Sequence, residues 1–109
     1  MPHCIIEHSK NLEPAKLIDA VYQGARKSNL FEDDDIKSRT MGFDYYQSGS
    51  TKNSFVHVTT KILSGRNLEQ RAMLSRSILS ELESLNIQST SLTVEVVEIE
   101  RTSYAKVVT

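Results

Sequence analysis

Hydrophobic and polar positions alternate over residues 2–8, with Cys4 and Ile6 on one face and Ile5 on the other, and this pattern predicts a short strand. Ser9-Lys10-Asn11 suits a turn or helix cap, and Pro14 suits a first helical turn, where its missing N–H would be unpaired anyway. Leu17, Ile18, Val21, Tyr22 and Ala25 then recur at three- and four-residue spacing, which predicts one buried face of a helix of about four turns. Residues 31–35 read as an acidic connection. Residues 36–46 read as extended chain with Gly42 as a bulge or twist point, and residues 47–53 as a hairpin-type loop.

The β-branched run over residues 55–62 is a clear alternating strand. Residues 64–67 form a turn into a second helix, whose expected buried stripe is Leu68, Ala72, Ser75, Ile78, Leu79, Leu82 and Leu85, opposite Glu69, Arg76, Glu81 and Glu83. Residues 92–96 alternate again, with a phase slip expected at Val96-Val97, and the tail after Arg101 shows no pattern. The order strand–helix–strand therefore occurs twice, about 53 residues apart. This predicts one α+β domain over residues 1–109, a doubled β-α-β unit with two helices on one face of a four-stranded sheet. The helices cover only one side, so the other face is expected to meet a further copy.

Composition narrows the chemistry. The 109 residues carry 13 basic and 14 acidic side chains, a formal charge of −1, so the global charge gives no basis for binding nucleic acid or an anionic membrane. A single cysteine, Cys4, excludes an internal disulfide and a multi-cysteine metal site, and it fits a cytoplasmic, reducing setting. It is expected to be a small buried hydrophobe. No apolar run reaches the length of a membrane span, and the first residues lack a signal-peptide pattern, so they are expected to belong to the mature fold.

Phosphate loops and the common hydrolase, metalloprotease and redox motifs are absent. Pro2 is the first candidate, because trimming Met1 would leave a secondary amine that burial or nearby cations could tune into a base near neutrality. Lys37 and Arg39 stand two apart on an extended segment and share a face, and Arg66 sits in the turn entering the second helix. Together they are candidates for holding a carboxylate. His3, His8 and His57 show no ligand spacing and are expected to pack or hydrogen-bond rather than hold a metal. Asp33-Asp34-Asp35 lacks the pattern of a calcium loop and reads as a solvated turn. Tyr45 and Tyr46 are read either as a pocket wall or as contacts to a neighbouring subunit.

Met1-Pro2-His3 entering a strand, Ile36-Lys37-Ser38-Arg39, and the run from Phe55 through His57-Val58-Thr59-Thr60-Lys61 to Arg66-Asn67-Leu68-Glu69 resemble the 5-carboxymethyl-2-hydroxymuconate Δ-isomerase family of the tautomerase superfamily. The resemblance implies a homotrimer with inward-facing sheets and no cofactor or metal. It implies Pro2 as proton acceptor and donor, with Lys37 (where the family typically has arginine) and Arg66 as catalytic cations. Arg39 would bind substrate, a small carboxylate-bearing dienol. Two other readings stay open: a non-catalytic ligand-binding or regulatory oligomer, and a tautomerase of phenylpyruvate-like enols.

Overall fold

The apolar–polar alternation at the N-terminus becomes strand β1, His3–Ser9, with Pro2, Cys4, Ile6 and His8 buried and His3, Ile5 and Glu7 on the other side. The structure is a computed structural model and describes residues 1–109. Helix α1 (Pro14–Lys27), β2 (Lys37–Phe43), β3 (Ser54–Leu63), α2 (Leu68–Glu83) and β4 (Thr90–Ile99) follow, with short 3₁₀ turns at Asp33–Asp35 and Arg101–Ser103. The sheet order is β2-β1-β3-β4, with parallel outer pairs and an antiparallel central pair. Each β-α-β unit lays its second strand parallel beside its first, and the two units meet through β1 and β3.

Residues 47–53 therefore do not join two paired strands, although Ser48 and Thr51 exchange both backbone hydrogen bonds at 2.9 Å in a tight local turn. They carry the chain past the end of β1, because β2 has been placed on the far edge of β1 by the first crossover. Gly42 makes no bulge either: β2 stays in register with β1 from Lys37 opposite His3 to Phe43 opposite Ser9. The phase slip at Val96-Val97 is also absent, since β4 pairs with β3 without interruption from Thr90 to Ile99. Val97 simply faces the side of the sheet that the helices leave open.

Both helices pack on one face, over a core of Cys4, Ile6, Val56, Val58 and Ile62 from the sheet, joined by Leu17, Val21, Leu74, Ile78 and Leu82. In α2 the buried line is Leu74, Ile78 and Leu82, a four-residue spacing. Leu68, expected in the stripe, is 71% exposed, since the buried line of α2 begins only at Leu74. A reciprocal capping box starts that helix: the Asn67 side chain accepts from the Gln70 N–H at 2.8 Å, and the Gln70 side chain accepts from the Asn67 N–H at 2.9 Å.

The two helices touch backbone to backbone at Gly24. A Cβ placed there would lie 2.5 Å from Ile78 Cα, and the Ser77 hydroxyl donates to the Gly24 carbonyl at 2.7 Å. Burial pushes the Cys4 thiol up to about 11, so it stays protonated and acts as an apolar filler.

On the open face, the His57 ring bonds Thr93 Oγ1 at 2.7 Å and Glu95 Oε2 at 2.5 Å, and Thr59 donates to the same carboxylate oxygen. The hydrogen bond from His57, then that from Thr59, hold the Glu95 carboxyl below its ordinary range. A depressed carboxylate stabilises the fold above the ordinary titration range, and this contribution is lost as pH falls through the lowered value. Urea midpoints of the parent chain and His57→Leu should therefore differ at neutral pH and converge in acid. Gly24→Ala should destabilise by about 3 kcal/mol, because the neighbour is backbone and cannot rotate away; urea unfolding checks this.

Candidate active site

At one end of the sheet β1 and β2 begin while β3 and β4 finish, and the loop from α1 and the C-terminal tail close around that end. Between them lies a pocket of about 540 Å³ whose walls include Met1, Leu30, Phe31, Arg66, Tyr104 and Lys106. Asn29, at φ 59°, ends α1 in the left-handed conformation that Asn tolerates, and turns the chain so that Leu30 and Phe31 supply the apolar wall.

Arg66 stands across from that wall. Its guanidinium donates to the Leu30 carbonyl and lies 5.8 Å from the centre of the Phe31 ring, so the head group is fixed by one hydrogen bond and one cation–π contact. The remaining guanidinium donors are available for a two-pronged grip on a carboxylate.

The tail forms the third wall. Arg101 Nε donates to the Ser64 carbonyl at 3.1 Å, Tyr104 Oη lies 3.1 Å from His3 Nε2, and Lys106 Nζ meets Asp35 Oδ1 at 3.4 Å. These three contacts stitch the tail in turn to the end of β3, the start of β1 and the approach to β2.

Pro2 is fully buried on the helix side of the sheet end, and its carbonyl accepts from the Lys37 N–H at 3.1 Å. In the chain as it stands Met1 precedes it, so its nitrogen belongs to an amide and the free amine is that of Met1, in the pocket wall. Burial, then the Lys106 ammonium, with Lys37 adding to it and Asp35 opposing, hold that amine below the ordinary α-amino range.

Lys37 lies beside the pocket rather than in its wall; its ammonium donates to the Asp35 carbonyl at 3.0 Å. Arg39 does share a face with Lys37, but that face is the open side of the sheet. Its guanidinium donates to His3 Nδ1 at 3.2 Å and lies outside the wall of this pocket. The structure thus brings Met1-Pro2, Arg66 and Lys37 to one end of the sheet and leaves Arg39 on another surface.

Sequence reasoning missed Tyr104, Arg101 and Lys106. No periodicity marks the tail, and their role depends on its path across the strand ends. Tyr45 is 95% exposed and Tyr46 packs on Phe55 at the opposite end of the sheet, so neither lines the pocket. No cluster of three or more His, Cys, Asp or Glu side chains is arranged to hold a metal ion, and no helix is long and apolar enough to cross a membrane.

A family model described as 5-carboxymethyl-2-hydroxymuconate isomerase matches residues 2–107. The chain belongs to that family. Solved structures agree on the fold. A 5-carboxymethyl-2-hydroxymuconate delta-isomerase superposes with a TM-score of 0.79 at 13% identity, over 98% of this chain and 88% of its own. A 5-carboxymethyl-2-hydroxymuconate isomerase from Deinococcus radiodurans R1 superposes at 0.74 with 21% identity, over 96% and 87%. A fused 4-OT described as a symmetric trimer superposes at 0.79 with 16% identity, over 95% and 90%. No curated protein matches the chain in sequence. The fold is therefore tautomerase-like, and the family is one of isomerases.

Among the charges around the N-terminal amine, the Lys106 ammonium lowers it most. Lys106→Met should raise the pKa of that amine toward the ordinary α-amino value, read from the pH dependence of its acylation rate.

Proposed function

We propose that this family member is a cofactor-free keto–enol isomerase acting on a 2-hydroxymuconate-type dienol, with 5-carboxymethyl-2-hydroxymuconate as the leading substrate, and that loss of Met1 makes the Pro2 nitrogen its proton carrier. The observation that carries this reading is the position of the chain's first residues: Met1 lines the pocket that also holds Arg66 and Lys106. Removing Met1 leaves a secondary amine at the strand start, one residue from the Met1 amine that burial and the Lys106 and Lys37 charges lower. Lowering the pKa of such an amine enlarges its neutral fraction, the form that can accept a proton.

The steps then follow from the pocket's chemistry. Arg66 grips a carboxylate, and Lys106 and Lys37 add positive potential. The Pro2 nitrogen takes the hydroxyl proton at C2, and the developing oxyanion is stabilised by the surrounding donors. The ring ammonium returns a proton to a distant carbon as the double bonds shift, which regenerates the neutral amine. A homotrimer burying the open sheet face is proposed with this, on the likeness to trimeric tautomerases. The cytoplasm is the proposed compartment, since the only thiol is buried and unpaired.

The Met1-capped chain keeps the pocket walls but locks the Pro2 nitrogen in an amide and leaves the free amine on Met1. It can bind a carboxylate but lacks the Pro2 amine as proton carrier, so it serves as a control for the rival reading of a non-catalytic binding oligomer. The decisive assay follows ketonisation of 2-hydroxymuconate by absorbance, using protein whose mass confirms that Met1 is gone. Pro2→Ala should lower kcat by about 10²- to 10⁴-fold with circular dichroism unchanged. Equal turnover by the two proteins would remove Pro2 from the mechanism.

A further inference from the structure

Three side chains that the composition and periodicity of the chain do not connect form a line from the open face of the sheet to the pocket. Arg39 Nη1 lies 3.2 Å from His3 Nδ1, His3 Nε2 lies 3.1 Å from Tyr104 Oη, and Tyr104 lines the pocket. Donor chemistry fixes the direction of this chain. A guanidinium can only donate, so His3 Nδ1 must accept and its ring proton must sit on Nε2. A doubly protonated ring would turn an N–H toward the Arg39 cation with no acceptor between them. Burial first, then the charge of Arg39, lower the His3 pKa, in keeping with a neutral ring.

Nε2–H therefore donates to the Tyr104 oxygen. The phenol must keep its own proton for another partner, and none of the chain's acceptors hydrogen-bonds to it. The two rings meet edge to face at 6.5 Å and 62°, which fixes the Tyr104 orientation beyond the single hydrogen bond. The basic groups of the pocket wall, Arg66, Arg101 and Lys106, are donors too, and neither Glu32 nor Asp35 in that wall bonds the phenol, so its proton is open to a bound molecule in place of water.

We propose that Tyr104 is a substrate-contacting donor of this pocket, reserved for the 2-oxygen of a 2-oxo or 2-hydroxy acid whose carboxylate is held by Arg66, and that His3 and Arg39 are positioning residues that aim it. The assignment rests on the reading of this pocket as an enol site. It gives Arg39 an indirect part in recognition. A hydrogen bond accepted from His3 also makes the phenol a better donor, by polarising its O–H. The ligand class that satisfies the pocket is then an acid with an oxygen acceptor next to its carboxylate, in preference to a plain dicarboxylate.

The test compares calorimetric binding of 2-oxoadipate and adipate to the full chain with Met1 removed. The parent should bind the 2-oxo acid about tenfold more tightly, the value of one added hydrogen bond in a desolvated site. Tyr104→Phe and His3→Leu should each bring that ratio to about one while adipate binding is kept. His3→Gln, which retains a donor and an acceptor at similar spacing, should restore the preference. A ratio that survives in Tyr104→Phe, or a parent that does not discriminate, overturns the assignment. If the parent shows the Tyr104-dependent preference but no turnover, the isomerase reading fails and the Tyr104 assignment stands. If neither acid binds the parent, both fall.

Discussion

Everything at the functional end depends on strand β1 being hydrogen-bonded along both of its edges. It runs parallel to β2 and antiparallel to β3, so its start coincides with the start of one neighbour and the end of the other. Its helix-facing side chains, from Pro2 through Cys4, Ile6 and His8, are sealed under α1 and α2. A chain terminus is ordinarily the least ordered part of a domain. Here the first residues are held by the Lys37 N–H bond to the Pro2 carbonyl and by the hydrophobic burial beneath them. Full burial of one Ile or Leu contributes about 2 kcal/mol, so the core around β1 can anchor the terminus firmly.

The helix pair makes that burial possible by letting two backbones meet. Gly24 lies against the Ile78 backbone, with Ala20 and Ala25 beside it on the buried face of α1. Larger residues here would push the helices apart and loosen their hold on the sheet face. The same packing sets where α1 ends, and so where Asn29, Leu30 and Phe31 lie relative to Arg66. Core packing and pocket shape are therefore coupled through one short turn.

Cations gather at the pocket at an electrostatic cost that the structure meets in three ways. Arg66 rests on a carbonyl and an aromatic ring, Arg101 on the Ser64 carbonyl, and Lys106 on the Asp35 carboxylate. Burial first, and then the Lys106 and Lys37 charges, disfavour a further positive charge at the amine, which is lowered accordingly. The open sheet face has a different character. It carries the His57–Thr93–Glu95 group along with Ile5 and Val97, a mixed polar and apolar surface suited to meeting another polypeptide.

The sequence by itself determined the elements and much of the core. Alternation placed β1 and β3, three- and four-residue spacing placed both helices, and the repeated order implied the doubled β-α-β unit, because these signals depend only on local geometry. It also singled out Pro2, Lys37 and Arg66, which the fold gathers at one end. Strand order was decided by tertiary structure. The residues at 47–53 have turn chemistry whether or not the flanking strands pair, and only the crossover rule sets β2 on the far edge of β1. The side faced by Arg39, the exposure of Leu68 and the path of the tail were settled in the same way. Tyr104 lies 101 residues along the chain from His3 and Lys106 71 from Asp35, and these pairs become neighbours only when β4 ends beside β3 and the chain crosses the strand ends, a relation that no local spacing encodes.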